Sequence, residues 1–161
     1  AISPDYNNDN TIFAGSYKGV FRSRDGGASW VKVQNFNQYD DNSPRIVYVG
    51  SWKTYYLNGT VASGIKYSNI PGDELIFPFN GGSLKWIGTR GPQHGMAYIY
   101  IDDQLSGTVD LYASGTEVSV PVFQISGVSA GMHILKIVIS SDRNQSSSSN
   151  IVTVDAFDIY Q

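Results

Sequence analysis

The chain has 161 residues, a net charge of −3 and a pI near 5.1, and it contains no cysteine. One packed domain with an appendage suits that length, since domains usually run to about 100–150 residues. Without clustered Lys and Arg, nucleic acid and membrane surfaces are excluded as partners, and without thiols there is no disulfide, cysteine nucleophile or thiolate metal site.

Charged residues make up only 16% while Gly (17) and Tyr (11) are plentiful, a balance closer to secreted all-β proteins than to cytosolic enzymes. The most apolar stretches, such as "HILKIVI" at 133–139, fall far short of the ~20 residues that span a bilayer. Nothing at Ala1 reads as a signal peptide, so the chain is expected to be mature or cut from something larger.

In chain order, β-branched and aromatic runs bounded by Gly, Asn, Asp and Ser predict strands at 11–16, 20–23, 30–33, 46–50, 53–57, 65–68, 75–79, 84–88, 97–102, 108–112, 120–125, 133–140 and 151–160. No stretch has helical periodicity. The polar segment 36–44, ending in Pro44, reads as a linker between an N-terminal segment, 1–35, and a main domain, 45–161. A second polar run, 140–150, reads as a long, mobile loop of the kind that often carries binding residues.

Near the start, Asp5, Asn7 and Asp9 alternate like the opening of a calcium loop, but Asn10 stands where Gly is needed and Ser16 where a bidentate Glu is needed, so that reading is rejected. Further on, Ser23, Asp25, Gly27 and Trp30 follow the pattern Ser/Thr-x-Asp-x-Gly-x-x-Trp. Residues 3–33 resemble one unit of the Asp-box, or BNR, repeats of sialidase-like propellers in bacterial glycoside hydrolases and related secreted proteins. The pattern makes a structural hairpin in which Asp25 accepts backbone N–H bonds and Trp30 packs over the corner. A propeller needs several such units, so one copy reads as the trailing repeat of a larger protein's propeller or as a hairpin that packs on the neighbouring domain, the first being preferred.

The main domain presents, in order, "IVYVGSW", "IKYS", "FPFNGGSLKWIGTRGPQHGMAYIYID", "GTVDLY", "VFQISGVSAGMHILKIVI" and "VDAFDI". That order resembles the galactose-binding-like jelly-roll modules attached to polysaccharide-degrading enzymes, similar to carbohydrate-binding module families 6 and 35. The resemblance implies an all-β jelly-roll sandwich. Alternation supports two packed sheets independently, as with Ala97, Ile99 and Ile101 on one face of a strand and Tyr98 and Tyr100 on the other.

Several letter patterns suggest chemistry. "GVSAG" at 127–131 fits Gly-x-Ser-x-Gly, but a strand rather than a helix follows, so a β-turn is expected. The carboxylate pairs Asp73–Glu74, Asp102–Asp103 and Asp155/Asp158 are available for glycoside hydrolysis, yet the first two fall in turns, and no catalytic residue is assigned. His133 reads as a structural histidine. Sugar binding asks for aromatic faces and planar polar side chains near loops, which nominates Trp52, Tyr55, Tyr56, Arg90, His94 and Asn144. Tyr98 and Tyr100 offer an alternative platform, and Trp86 reads as core. The resemblance implies a structural Ca²⁺ held by Asp155 in the last strand with Asp41 ahead of the first, although the first strand lacks the usual Glu.

The expected function is therefore a non-catalytic module that binds polysaccharide or oligosaccharide within a larger secreted, multidomain bacterial protein. The competing reading is a structural or protein-docking domain excised from an Asp-box propeller glycoside hydrolase.

Overall fold

The computed structural model describes residues 2–4, 11–16, 19–32 and 36–160, so Asp5, Asn7, Asp9 and Asn10 of the rejected calcium loop lie outside the described residues. The chain forms two compact units, within Ala1–Asn35 and Phe36–Gln161.

The first unit is an antiparallel meander of β1 (Ile2–Pro4), β2 (Ile12–Ser16), β3 (Gly19–Ser23) and β4 (Val31–Lys32), paired in chain order. The turn joining β3 to β4 is closed by its own side chains. Asp25 Oδ1 accepts the Ser23 hydroxyl at 2.7 Å and the Ser29 N–H at 2.9 Å, while Ser23 Oγ accepts the Gly27 N–H at 2.8 Å. The Trp30 indole N–H donates to Gly27 O at 3.0 Å. Gly26 and Gly27 have φ of 71° and 100°, which a side chain would resist. Bonds from Ser29 hold the Asp25 carboxyl well below the usual carboxylate range.

The second unit contains β5 (Phe36–Asp40), β6 (Val47–Val49), β7 (Lys53–Tyr56), β8 (Gly64–Ser68), β9 (Glu74–Asn80), β10 (Ser83–Arg90), β11 (Met96–Ile101) and β12 (Gln104–Asp110), followed by β13 (Glu117–Ser126), β14 (Met132–Ile139), β15 (Val152–Val154) and β16 (Ala156–Tyr160). One tight 3-10 turn, Val61–Ser63, precedes β8. The strands form sheets in the orders β13-β10-β16-β5, β12-β11-β14-β9-β6 and β15-β8-β7. The first two close on a shared core, where Phe77 of β9 stacks on Phe157 of β16 with ring centroids 4.9 Å apart. Trp86, Leu84, Phe79, Ile99, Leu135 and Ile137 are fully buried with them. The fold is an all-β jelly-roll sandwich, and burying one such ring or aliphatic chain contributes about 1.5–3 kcal/mol.

Four details differ from the strands expected. Residues 36–44 are not a plain linker, because Phe36–Asp40 is β5 and pairs with β16 from Phe36↔Tyr160 to Asp40↔Ala156. It is an edge strand, so only one face needs apolar residues: Tyr39 meets Phe77 at 5.2 Å, and Gln38 donates to Asp158 Oδ1 at 2.8 Å. The strand expected at 151–160 breaks at Asp155, whose N–H donates to Ile87 O and whose carbonyl accepts the Asp41 N–H. The strand expected at 108–112 starts at Gln104, because Asp102 and Asp103, at φ 51° and 61°, make a two-residue hairpin turn from β11. The 140–150 run is tied in place, with the Ser147 N–H on Asn144 O at 2.9 Å and the Ser148 N–H on Pro92 O at 3.1 Å.

Candidate functional site

The three-stranded sheet sets up the site. β8 pairs on one side with β7, matching Tyr55 with Ile65, and on the other with β15, matching Tyr67 with Thr153. Side chains alternate along each strand, so Tyr55, Ile65, Tyr67 and Thr153 share a face. They form one wall of a cleft of about 540 Å³, completed by Leu57, Thr89, Gln93, His94, Thr116 and Ile151. That volume falls within the range of small-molecule sites, about 300–1,000 Å³.

Hydroxyls fasten the cleft to the main sandwich. Thr153 Oγ1 accepts the Thr89 N–H at 2.8 Å and lies 2.9 Å from Thr89 Oγ1, which is itself 2.8 Å from His94 Nε2. Gly95 lets the 91–95 loop approach the segment leading into β15, because a Cβ there would stand 2.6 Å from the Asn150 Cα. Burial pushes the His94 pKa down, with the Gly91 backbone opposing, which favours a neutral ring. No Asp, Glu, Lys or Arg is among the lining residues. The cleft offers two tyrosine rings, aliphatic side chains and neutral groups able to hydrogen-bond.

Of the nominated sugar-binding residues, Tyr55 and His94 come together in the cleft. Tyr55 is 56% exposed; Tyr56 is 82% exposed and points from the opposite face of β7. Trp52 packs elsewhere, 5.1 Å from the Tyr48 ring, and its indole N–H donates to Val49 O. Arg90 and Asn144 converge on Asp110: Arg90 Nη2 donates to its backbone carbonyl at 3.1 Å, and Asn144 Nδ2 to Oδ2 at 2.7 Å. Sequence reasoning missed Tyr67, Thr89, Gln93, Thr116 and Thr153. Tyr67 carried a visible signal, an aromatic at alternate spacing in "IKYS"; the others are ordinary polar letters until the strands pair.

The metal candidates lie away from the cleft lining. Asp41 and Asp155 are both completely buried, and Asp41 Oδ2 and Asp155 Oδ2 have no hydrogen-bond partner. The Val61 N–H donates to Asp155 Oδ1 at 2.8 Å. Burial and the Asp40 charge, with Asp155 adding and Lys66 opposing, push the Asp41 carboxyl up to about 6. Burial likewise raises Asp155, with hydrogen bonds from the Ser119 side chain and the Val61 N–H opposing. Orphaned, desolvated carboxylate oxygens fit a hard divalent cation such as Ca²⁺. Among the described residues no group of three or more His, Asp or Glu gathers around a metal position, so backbone carbonyls would have to complete such a site.

Ser129, His133 and Asp102 have the composition of a hydrolase triad. His133 Nδ1 lies 2.6 Å from Asp102 Oδ2, and Nε2 lies 3.5 Å from Ser129 Oγ. Nε2 is closer, at 2.7 Å, to the Ser129 backbone carbonyl. Both ring nitrogens thus face acceptors, which favours the imidazolium, and Nε2 is turned to the Ser129 carbonyl rather than to its hydroxyl. Of the carboxylates nominated for hydrolysis, Asp73 Oδ2 accepts the Ser51 N–H and the Ser68 hydroxyl, Asp103 Oδ1 accepts from Lys136 and Asp158 Oδ1 accepts from Gln38. The Tyr98 and Tyr100 platform is occupied as well, since Lys136 Nζ sits 5.2 Å over the Tyr100 ring and the Tyr98 hydroxyl donates to Asp142.

No family model matches the chain. Two curated relatives from Flavonifractor plautii do: an A type blood alpha-D-galactosamine galactosaminidase, 33% identical over 110 residues, and an A type blood N-acetyl-alpha-D-galactosamine deacetylase, 30% identical over 103. These matches cover 66% and 63% of this chain, which spans only 10% and 13% of the relatives' own lengths. Among solved structures, a Paenibacillus xanthan lyase superposes at TM-score 0.59 with 16% identity, covering 78% of this chain and 13% of the lyase. A two-domain esterase active on acetylated mannans gives 0.58 at 9% identity, over 78% of this chain and 36% of the esterase. The exo-beta-1,3-galactanase of Phanerochaete chrysosporium gives 0.53 at 16%, over 88% of this chain and 33% of the galactanase. At these identities the likeness shows the fold, a β-sandwich that recurs as a minor part of larger chains.

Proposed function

We propose that this chain is a non-catalytic glycan-binding module of a larger, secreted carbohydrate-active protein, and that the cleft beside Tyr55 is its binding site. The observation carrying the proposal is the cleft itself. Tyrosine rings suit the apolar faces of pyranoses, and the uncharged hydrogen-bonding groups around them suit hydroxyls. The relatives add support. Matches of 110 and 103 residues cannot both lie in a 161-residue chain without sharing residues, so part of this chain recurs in two enzymes named for different reactions. A segment common to two chemistries serves something both need, and holding the enzyme on its glycan is such a role. Glycans bearing galactose or N-acetylgalactosamine are the ligand class to test first.

Two further elements belong to this proposal. Asp41 and Asp155 hold a structural Ca²⁺ with backbone carbonyls, which stiffens the fold and takes no part in chemistry. The 23–30 turn is the Asp-box of a propeller repeat whose other units lie elsewhere in the parent protein.

Native affinity electrophoresis of residues 1–161 against a panel of soluble polysaccharides and glycans bearing galactose or N-acetylgalactosamine tests the proposal; no retardation by any of them would move the reading to a protein-docking domain. Tyr55→Ala weakens the interaction about tenfold or more. Trp52→Ala, by contrast, retains affinity but loses about 2–4 kcal/mol of stability in urea melts, because its ring packs against Tyr48. The reverse pattern would displace the site toward Trp52.

A further inference from the structure

We infer that the cleft beside Tyr55 takes an uncharged glycosyl residue and excludes sugars bearing an ammonium or a carboxylate. This rests on the glycan-binding reading above and adds the charge state of the ligand.

The lining carries the argument. Gln93, Thr116 and Tyr67 bring groups that both donate and accept, matching hydroxyls and amides, which do the same. None of the lining groups brings a formal charge, and burial holds His94 toward its neutral form. An ion entering such a cleft sheds water without meeting a counter-ion, a penalty that neutral hydrogen bonds only partly offset.

Nearby charges are held by other partners or stand outside the lining, although the buried Arg90 Nε has no partner. The Arg90 guanidinium donates to Asp110 O and lies 3.9 Å from Glu117. The Asp110 carboxylate accepts from Asn144 and from the Tyr112 N–H. Lys66 is directed to Thr54, away from the face that bears Ile65 and Tyr67. Lys53 shares the Tyr55 face of β7 and is paired with Tyr67, but it is not part of the lining. Among the described residues of β7, β8 and β15, it is the cation on that face, and it supplies the control.

An acetamido group is neutral and passes this filter, whereas the free amine, protonated below its pKa of about 8, does not. The site consequently distinguishes an N-acetylated sugar from its deacetylated form, with no residue dedicated to the acetyl group.

The experiment is an amide chemical-shift titration of residues 1–161 with galactose, N-acetylgalactosamine, galactosamine and galacturonate near pH 6.5, at low and high salt. Galactose and N-acetylgalactosamine are expected to shift amides of Tyr67, Thr116 and Thr153 with affinities that salt leaves unchanged, and the two charged sugars to bind at least about tenfold more weakly. A charged sugar that binds as tightly as its neutral counterpart overturns the inference, and loss of that binding in Lys53→Ala would assign it to the rim lysine. Neutral sugars that shift amides elsewhere overturn it too. Silence from all four does the same, and silence from the polysaccharide panel as well overturns the glycan reading beneath it.

Discussion

At His133 two acceptors set the charge of one side chain. The ring is buried, at 7% exposure, between Asp102 and the Ser129 carbonyl, and the Asp102 bond, then the Ser129 backbone, raise its pKa above the ordinary 6.5. The same carboxylate accepts the Ile134 N–H at 2.8 Å, so Asp102 pins the β11–β12 turn to the start of β14. Because the folded pKa is raised, the stabilisation is fully present below about pH 6.5 and is lost as pH rises through the folded value. The thermal midpoint should fall by about 2–4 °C across that interval, and Asp102→Asn should flatten the dependence. A midpoint insensitive to pH in the unmodified chain, or an unchanged slope in the variant, would refute the imidazolium assignment. From sequence, His133 was legible as structural; that its partners favour the charged ring was not, because Asp102 lies 31 positions away and Ser129 contributes a backbone atom.

Among the elements, β5 shows how an edge strand hides. "FNQYD" has two rings, Tyr39 against Phe77 and Phe36 against Tyr160, and its other three residues are polar, too few apolar positions to read as a strand. Its five register pairs with β16 make it part of the sandwich. A chain beginning at Phe36 should unfold cooperatively, whereas one beginning at Arg45 should lose at least about 3 kcal/mol, since it gives up the Tyr39 packing and bares the β16 edge. Equal urea midpoints for the two truncations would show that β5 is dispensable. The strong strands were readable for the opposite reason: β11 and β14 alternate Ala97, Ile99, Ile101 and Leu135, Ile137, Ile139 inward, and a two-residue period needs no knowledge of neighbours.

For the molecule as a whole, the break at Asp155 brings the first and last strands of the sandwich to one place. There the Asp41 N–H donates to Asp155 O, and two buried carboxylates each keep an oxygen without a partner. With calcium at about 100 times its dissociation constant, the folded chain should gain about 2.7 kcal/mol over the EDTA-treated form. Asp155→Ala should abolish that difference, and a melt unaffected by EDTA in the unmodified chain would rule the ion out. The amino-acid sequence alone determined the all-β class, the sandwich, the 23–30 turn and most strand positions, since these depend on side-chain period and turn residues within a few positions of one another. It also nominated Tyr55 and His94, which line one cleft. Only the tertiary structure decided that Trp52 belongs to the packing, that Arg90 and Asn144 brace Asp110, and that Tyr67, Thr116 and Thr153 share a cleft. Those assignments follow from strand register between segments up to about a hundred residues apart, and no local pattern in the chain encodes which strands will be neighbours.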